Sequence, residues 1–255
     1  MSLVEEYRNQ STWRDWGPYI EKLPIHHGDI VLDFGCSIGT VSKLLAEKVH
    51  HVVGIDNNPQ LLEEAERINN AENISYLNMD LGSSACEGLS LVNGIWSSFA
   101  AAYFPDFEPV LKVWNKVLRE EGWIALVEMS DLFSHEPVSK FTRDTFENYA
   151  IRQCRNNMYD FMMGGKLKDY MTGCGLSIIH EEDMTDPELT FNGPADTRIL
   201  KAWENRLDRM VKFREYVGES AFQKIRLDFL NGLSDQNHTS YTIVKFIIAK
   251  KHQVK

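Results

Sequence analysis

The sequence has a deficit of basic residues and no long apolar run. Its 27 lysines and arginines stand against 37 acidic residues, for a net charge of -10, and this disfavours nucleic acid as a partner because phosphates require a basic surface. No segment approaches the roughly 18 to 20 apolar residues that span a bilayer. The first residues also lack the basic start and apolar run of a signal peptide. We therefore expect neither a nucleic-acid nor a membrane partner.

The few cysteines are too scattered for a zinc site or a disulfide framework. Cys36, Cys86, Cys154 and Cys174 never form a CxxC pair, and isolated thiols are typical of a reducing compartment. Acidic residues clustered with metal-binding spacing are also missing. These patterns predict a cytoplasmic protein without a bound metal.

Short apolar runs alternate with helical periodicity through the first half of the chain. Runs at 29–35, 51–56, 74–80, 94–100 and 122–129 predict strands, and the segments between them carry apolar residues at helical spacing. Repeated strand and helix units of this length are typical of a parallel sheet covered by helices on both faces. The sequence therefore predicts a doubly wound α/β fold.

The second half is less regular. Two late runs, at 176–183 and 242–251, predict further strands, and the connection between them is far longer than usual, which is typical of a functional segment. Within that connection, residues 196–231 carry eight lysines or arginines against six acidic residues. This excess indicates either an ordinary solvated helical face or a lid that favours an anionic substrate.

The strongest local motif is VLDFGCSIGT at 31–40. A strand leads through Asp33 into a turn with Gly35 and Gly39, where glycine lets the backbone bend sharply and a ligand approach closely. Asp56 ends the next strand, at a place where an acid can accept both hydroxyls of a ribose. A nicotinamide-binding turn would have glycine at positions 37 and 40, where serine and threonine stand, so a dehydrogenase is disfavoured.

These residues resemble motif I of the class I S-adenosylmethionine-dependent methyltransferases, although Ser37 replaces the middle glycine. The resemblance covers about 28–130, through GIDNNP, NMDL and GIWSSFAAAYF, and is nearest to small-molecule enzymes of the ubiquinone/menaquinone methyltransferase type. It implies a Rossmann-like sheet of seven strands, mostly parallel with an antiparallel last strand, plus helical lid insertions. We divide the single domain 1–255 into a cap segment at 1–27, a cofactor-binding core at 28–184 with an insertion at 130–162, a helical lid insertion at 185–237 and the last strand at 238–255.

The resemblance also implies a binding site for S-adenosylmethionine and its product S-adenosylhomocysteine. Asp56 would bind the ribose, with Asn57 beside the adenine. Met79 and Asp80 would hold the adenine, while Ser97 and Phe99 would face the methionine and the transferring methyl. The candidate cofactor-binding residues are Asp33, Gly35, Cys36, Ser37, Gly39, Asp56, Asn57, Met79, Asp80, Leu81, Ser97, Ser98, Phe99, Tyr19 and Trp16.

Methyl transfer depends mainly on alignment in a closed site, yet an oxygen or nitrogen acceptor can still need a base. His135, which follows the fifth strand, is the candidate catalytic residue, with a structural role as the alternative. The expected reaction is in-line methyl transfer to an oxygen or nitrogen of a small-molecule metabolite by a monomer or homodimer. A protein or tRNA methyltransferase, and a cofactor-binding scaffold without turnover, are the other interpretations.

Overall fold

The computed structural model describes residues 2–252 and contains one large sheet flanked by helices. Its strands are β1 (Ile30–Phe34), β2 (His51–Asp56), β3 (Ile74–Asn78), β4 (Val92–Ser98), β5 (Leu118–Ser130), β6 (His135–Glu136), β7 (Leu176–Met184), β8 (Thr239–Ser240) and β9 (Ile243–Lys251). Its helices are α1 (Leu3–Ser11), α2 (Gly17–Ile20), α3 (Thr40–Ala46), α4 (Pro59–Ile68), α5 (Phe107–Lys116), α6 (Lys140–Arg155), α7 (Met163–Gly173), α8 (Thr197–Arg209), α9 (Val211–Val217) and α10 (Glu219–Leu233). Two short 3-10 helices lie at Ser84–Gly88 and Ala101–Tyr103.

Seven strands form the main sheet, in the order β3-β2-β1-β4-β5-β9-β7. The neighbouring pairs from β3 to β5 are parallel, whereas β9 runs antiparallel to both β5 and β7. Since β9 is the last strand in the chain, the predicted doubly wound Rossmann-like sheet with an antiparallel last strand is confirmed. The strand order reverses between β1 and β4, and ligands of such sheets bind outside the carboxyl ends of the strands at this point.

Both faces of the sheet are buried, which explains the continuous apolar runs in the sequence. Alternate residues of β5 point to opposite faces. Ile124 and Leu126 join the core that contains Trp114 of α5, while Ala125 and Val127 join the core on the other face. Packing against the two cores holds the strands in place and therefore fixes the position of their carboxyl ends.

The segments 130–162 and 185–237 fold together. Phe133 stacks on Phe146 with ring centroids 4.1 Å apart, and Trp203 lies against Phe229 at 5.1 Å. All four side chains belong to the same buried core as one face of the sheet. Within residues 2–252, no helix is both long and apolar enough to cross a membrane.

Candidate functional site

The turn between β1 and α3 is anchored to the neighbouring strand. The amide of Gly35 donates to the carbonyl of Ile55 at 2.8 Å, and Gly35 has a left-handed φ of 77°. A Cβ at this position would lie 2.8 Å from the Cβ of Ala100. Glycine is therefore required here both for its backbone angle and for its close packing against the segment that follows β4.

Asp56, at the end of β2, ties the same turn to the start of α4. One of its carboxylate oxygens accepts the amide of Ser37 at 2.9 Å, and the other accepts the amide of Asn58 at 2.9 Å. Burial raises the pKa of this carboxyl above its usual value. Each carboxylate oxygen has a further lone pair, so Asp56 can hold the turn and still accept hydrogen bonds from ligand hydroxyls.

Asp33 lies in β1 directly below the turn. Its side chain is buried and accepts a hydrogen bond from the Ser42 hydroxyl at 2.6 Å. Burial raises the pKa of Asp33 to about 7, because a carboxylate without a nearby cation is costly away from water. A cationic group of a ligand placed beside Asp33 would stabilise its ionised form.

A cavity of about 470 Å³ opens at the carboxyl ends of β1, β2 and β4. The structure places most of the candidate cofactor-binding residues in its wall: Trp16, Asp33, Gly35, Cys36, Ser37, Asp56, Asn57, Asp80, Leu81, Ser98 and Phe99. The remaining wall residues are Leu3, Tyr7, Gln10, Ser11, Arg14, Ile38, Thr40, Val41, Asn58, Leu61, Ala100, Tyr103 and Phe104. The chain thus brings one turn, two strand ends and the N-terminal segment around a single space.

Helix α1 covers one side of this cavity, and sequence reasoning missed much of its contribution. Leu3, Tyr7, Gln10, Ser11 and Arg14 line the cavity. Their spacing is that of one helical face, so the sequence already indicates that they share a surface. Only the folded structure shows that this surface lies against the cavity.

Arg14, which follows α1, links the N-terminal segment to the segment after β7. Its guanidinium donates to Asp186 at 2.7 Å and to Glu188 at 3.0 Å, and Arg206 of α8 also pairs with Glu188. Arg14 lies over the ring of Phe99 at 5.1 Å. The segment after α1, helix α8 and the residue after β4 therefore meet around one buried charge network.

The segment after β4 carries Phe99 and Tyr103 into the cavity wall. Phe99 has a left-handed φ of 53°, which ends the strand. The fully buried Glu128 then accepts the amide of Ala102 at 3.0 Å. Burial raises the pKa of Glu128 to about 7. Glu128 holds the short 3-10 helix so that Tyr103 faces the cavity.

Four candidate cofactor-binding residues lie outside the wall. Gly39 begins α3 with a φ of 77°, and Met79 contacts the Cys86 thiol at 3.6 Å. The buried Ser97 donates its hydroxyl to the carbonyl of Phe34 at 2.9 Å. Tyr19 packs against Trp96 and Phe246 on one face of the sheet. These four residues therefore contact the segments that form the cavity wall, and do not line the cavity themselves.

His135 is not part of the cavity wall either. It lies in β6, which pairs with β8, is 1% exposed, and has its Nδ1 3.0 Å from Nε2 of His238. Burial, followed by the effect of His238, lowers the pKa of His135 to about 3. Trp203 and Phe229 pack edge-on against its ring. This placement gives the residue a packing role against α8 and α10.

One buried polar group points to a ligand in the cavity. The Ser37 hydroxyl oxygen is buried and has no hydrogen-bond partner within residues 2–252, although the residue lines the cavity. Buried polar groups in native proteins nearly always have a partner. Together with the ionisable Asp33 and Asp56, this hydroxyl fits a ligand that carries an amino acid group and a ribose. Among the same residues, no group of three His, Cys, Asp or Glu is placed to hold a metal ion.

Comparisons with known proteins agree with this geometry. Residues 31–122 match the family model described as a methyltransferase domain, while none of the curated proteins is significantly similar to the sequence. A candidate methyltransferase from Bacillus halodurans C-125 superposes with a TM-score of 0.65 at 16% identity, over 94% of this chain and 99% of that one.

Two further solved structures have the same fold. Coclaurine N-methyltransferase, bound to N-methylheliamine and S-adenosylhomocysteine, has a TM-score of 0.58 at 18% identity, over 92% of this chain and 71% of that one. A candidate sarcosine dimethylglycine methyltransferase from Galdieria sulphuraria gives 0.56 at 16% identity, over 98% and 86%. Residues 31–122 therefore match a methyltransferase domain, and the chain has the fold of these solved methyltransferases.

Proposed function

We propose that the protein transfers a methyl group to an oxygen or nitrogen of a small-molecule metabolite. The observation that carries the proposal is the cavity itself, whose wall combines the turn after β1 with a separate aromatic side made by α1 and the segment after β4. One end has the acids expected for a cofactor with an amino acid group and a ribose. The other end has the aromatic lining of a small-molecule site.

In this proposal the residues of the turn hold the cofactor. Asp33 receives the amino group, Asp56 receives the ribose hydroxyls, and Asp80 with Leu81 borders the adenine. S-adenosylmethionine supplies a methyl group that is already activated by a sulfonium. The protein then contributes alignment and the exclusion of water, which together account for most of the catalysis that such a reaction needs.

The cover over the cavity favours a small acceptor over a macromolecular one. Helix α1 is held by Arg8 to Glu64 of α4 and by Glu6 to Arg209 of α8, while Arg14 joins it to Glu188. A protein or tRNA acceptor would have to reach past this helix, whereas a free metabolite needs only a transient opening. The net charge of -10 adds an unfavourable field for RNA.

A methyl-labelled cofactor distinguishes these acceptors. The purified protein is incubated with S-adenosylmethionine labelled on the methyl and with three separate fractions of a cell extract: small molecules, proteins and RNA. We expect label in the small-molecule fraction, and its loss with the Asp56→Ala variant but not with Asp169→Ala, which removes an exposed acid on α7.

Label that enters only protein or only RNA would contradict the proposal. Label in none of the fractions, from a protein that still binds S-adenosylhomocysteine, would indicate a binding scaffold without turnover.

A further inference from the structure

The part of the cavity away from the cofactor turn has an unusual set of side chains. We call it the acceptor end and define it by the wall residues Leu3, Tyr7, Gln10, Ser11, Arg14, Trp16, Phe99 and Tyr103. The set is aromatic and polar, with a single charged residue. Because this end would receive the acceptor, its chemistry bears on the acceptor class, provided that the proposed methyl transfer is correct.

Among residues 2–252, the acceptor end has no free positive charge. Arg14 is its one cation, and the guanidinium already donates to Asp186 and Glu188. Arg206 of α8 pairs with the same Glu188. Two arginines thus face two fully buried acids, and the group is neutral as a whole. An acceptor with a carboxylate or phosphate would be desolvated here without a partner, which is strongly unfavourable.

The described part of the chain, residues 2–252, also places no general base at the acceptor end. It contains no histidine, lysine or carboxylate, and His135 lies elsewhere against His238. Burial raises the pKa of Tyr7 and of Tyr103, so both phenols stay protonated. An alcohol acceptor must give up its proton as the new bond forms and needs such a base. The neutral form of an amine does not.

The tyrosines provide what an amine can use. Tyr103 lines the cavity and exposes 62% of its surface. Its ring meets that of Tyr159 edge-on at 4.9 Å. Phenol oxygens can accept amine protons, and the ring faces attract ammonium groups.

We propose that the methyl acceptor is a small amine bound between Tyr7 and Tyr103. An acceptor that arrives as an ammonium first gives one proton to water. The lone pair of the neutral amine nitrogen then forms the new bond to the methyl carbon, and the electron pair of the breaking carbon–sulfur bond stays on sulfur. The products are S-adenosylhomocysteine and an N-methylammonium, which passes its extra proton to water. The step needs no base, no metal and no other reactant.

Matched probes test this assignment on the protein loaded with S-adenosylhomocysteine. Phenethylamine, 2-phenylethanol and phenylacetate share one carbon frame, as do butylamine, butanol and butyrate. Calorimetric titration should show that the amine of at least one set binds at least about tenfold more tightly than its alcohol and its acid, the factor that corresponds to about 1.4 kcal/mol. With S-adenosylmethionine, mass spectrometry should then detect the N-methylated amine.

The variant Tyr103→Phe keeps the ring and removes the hydroxyl. It should weaken amine binding by about three- to tenfold, the loss expected for one hydrogen bond. Tyr241→Phe is the matched control, since Tyr241 is 59% exposed and lies outside the cavity wall, and it should leave binding unchanged.

Tighter binding of an acid or an alcohol, absence of amine binding at millimolar concentration, or an unaltered Tyr103→Phe variant would overturn the assignment. Because S-adenosylhomocysteine is bound before the probes are added, the test of the amine assignment is separate from the test of the proposed function. Failure to bind S-adenosylhomocysteine defeats the proposed function, whereas normal loading followed by preference for an acid defeats only the amine.

Discussion

Replacing Gly39 tests whether the turn of the cofactor site is as tightly packed as the structure indicates. Gly39 has a φ of 77°, and an alanine in this region costs about 1–2 kcal/mol. Its Cβ would also lie 2.2 Å from the hydroxyl oxygen of Tyr76, which donates to the carbonyl of Asn69 at 2.9 Å. Displacing that ring adds about 1–3 kcal/mol of overpacking.

Gly175 provides the matched control for Gly39→Ala. Its φ of 78° is nearly the same, but a Cβ there would meet nothing within 4 Å. Gly175→Ala should therefore show the backbone cost alone in urea unfolding, while Gly39→Ala should lose more stability and also bind S-adenosylhomocysteine more weakly. Equal losses of unfolding free energy in the two variants would refute the close contact with Tyr76.

Two further perturbations probe the buried polar groups. Burial holds the pKa of His135 near 3 and lowers that of His238, so below pH 6.5 the unfolded chain binds protons that the folded chain does not. The unfolding free energy should fall by about 2 kcal/mol between pH 7 and pH 5 through His135 alone, as measured by urea unfolding at both values. Arg14→Met should cost about 3–5 kcal/mol in the same assay, because Asp186 and Glu188 lose a buried partner.

Each of these perturbations has its own control. The fall between pH 7 and pH 5 should be smaller in His135→Asn, and an equal fall in both proteins would contradict a lowered pKa at this residue. Arg198→Met removes an exposed pair with Asp196 and should cost at most about 1 kcal/mol. If Arg14→Met costs no more than this, the network at Glu188 does not stabilise the cover.

The main sheet could be predicted because its strands are buried on both faces and therefore appear as apolar runs. The shorter sheet of β6 and β8 could not, since strands of two residues have no periodicity. The end of β4 was also wrong by two residues. The chain leaves the strand at Phe99, which has a left-handed φ while its amide still donates to the Val127 carbonyl of β5 at 2.8 Å.

The candidate site likewise contains residues that a local motif predicts and residues that only the tertiary packing brings there. Asp33, Gly35 and Asp56 follow from a local motif, and the structure brings them into one cavity wall. Arg14 and Tyr103 carry no local signal of a ligand, because their roles arise from where α1 and the segment after β4 pack. His135 was placed at the cavity from its position after β5, but the chain turns at Asp131 with a φ of 64° and buries the imidazole beneath the lid.

The most direct test of the central claim is a calorimetric titration of S-adenosylhomocysteine into the intact protein, Asp56→Ala, Asp56→Asn and Asp169→Ala. The account predicts binding by the intact protein and by Asp169→Ala. It predicts a loss of at least about tenfold in both Asp56 variants, since a charged acceptor of hydrogen bonds contributes about 1.5–3 kcal/mol. No binding by the intact protein, or undiminished binding by folded Asp56 variants, would contradict it.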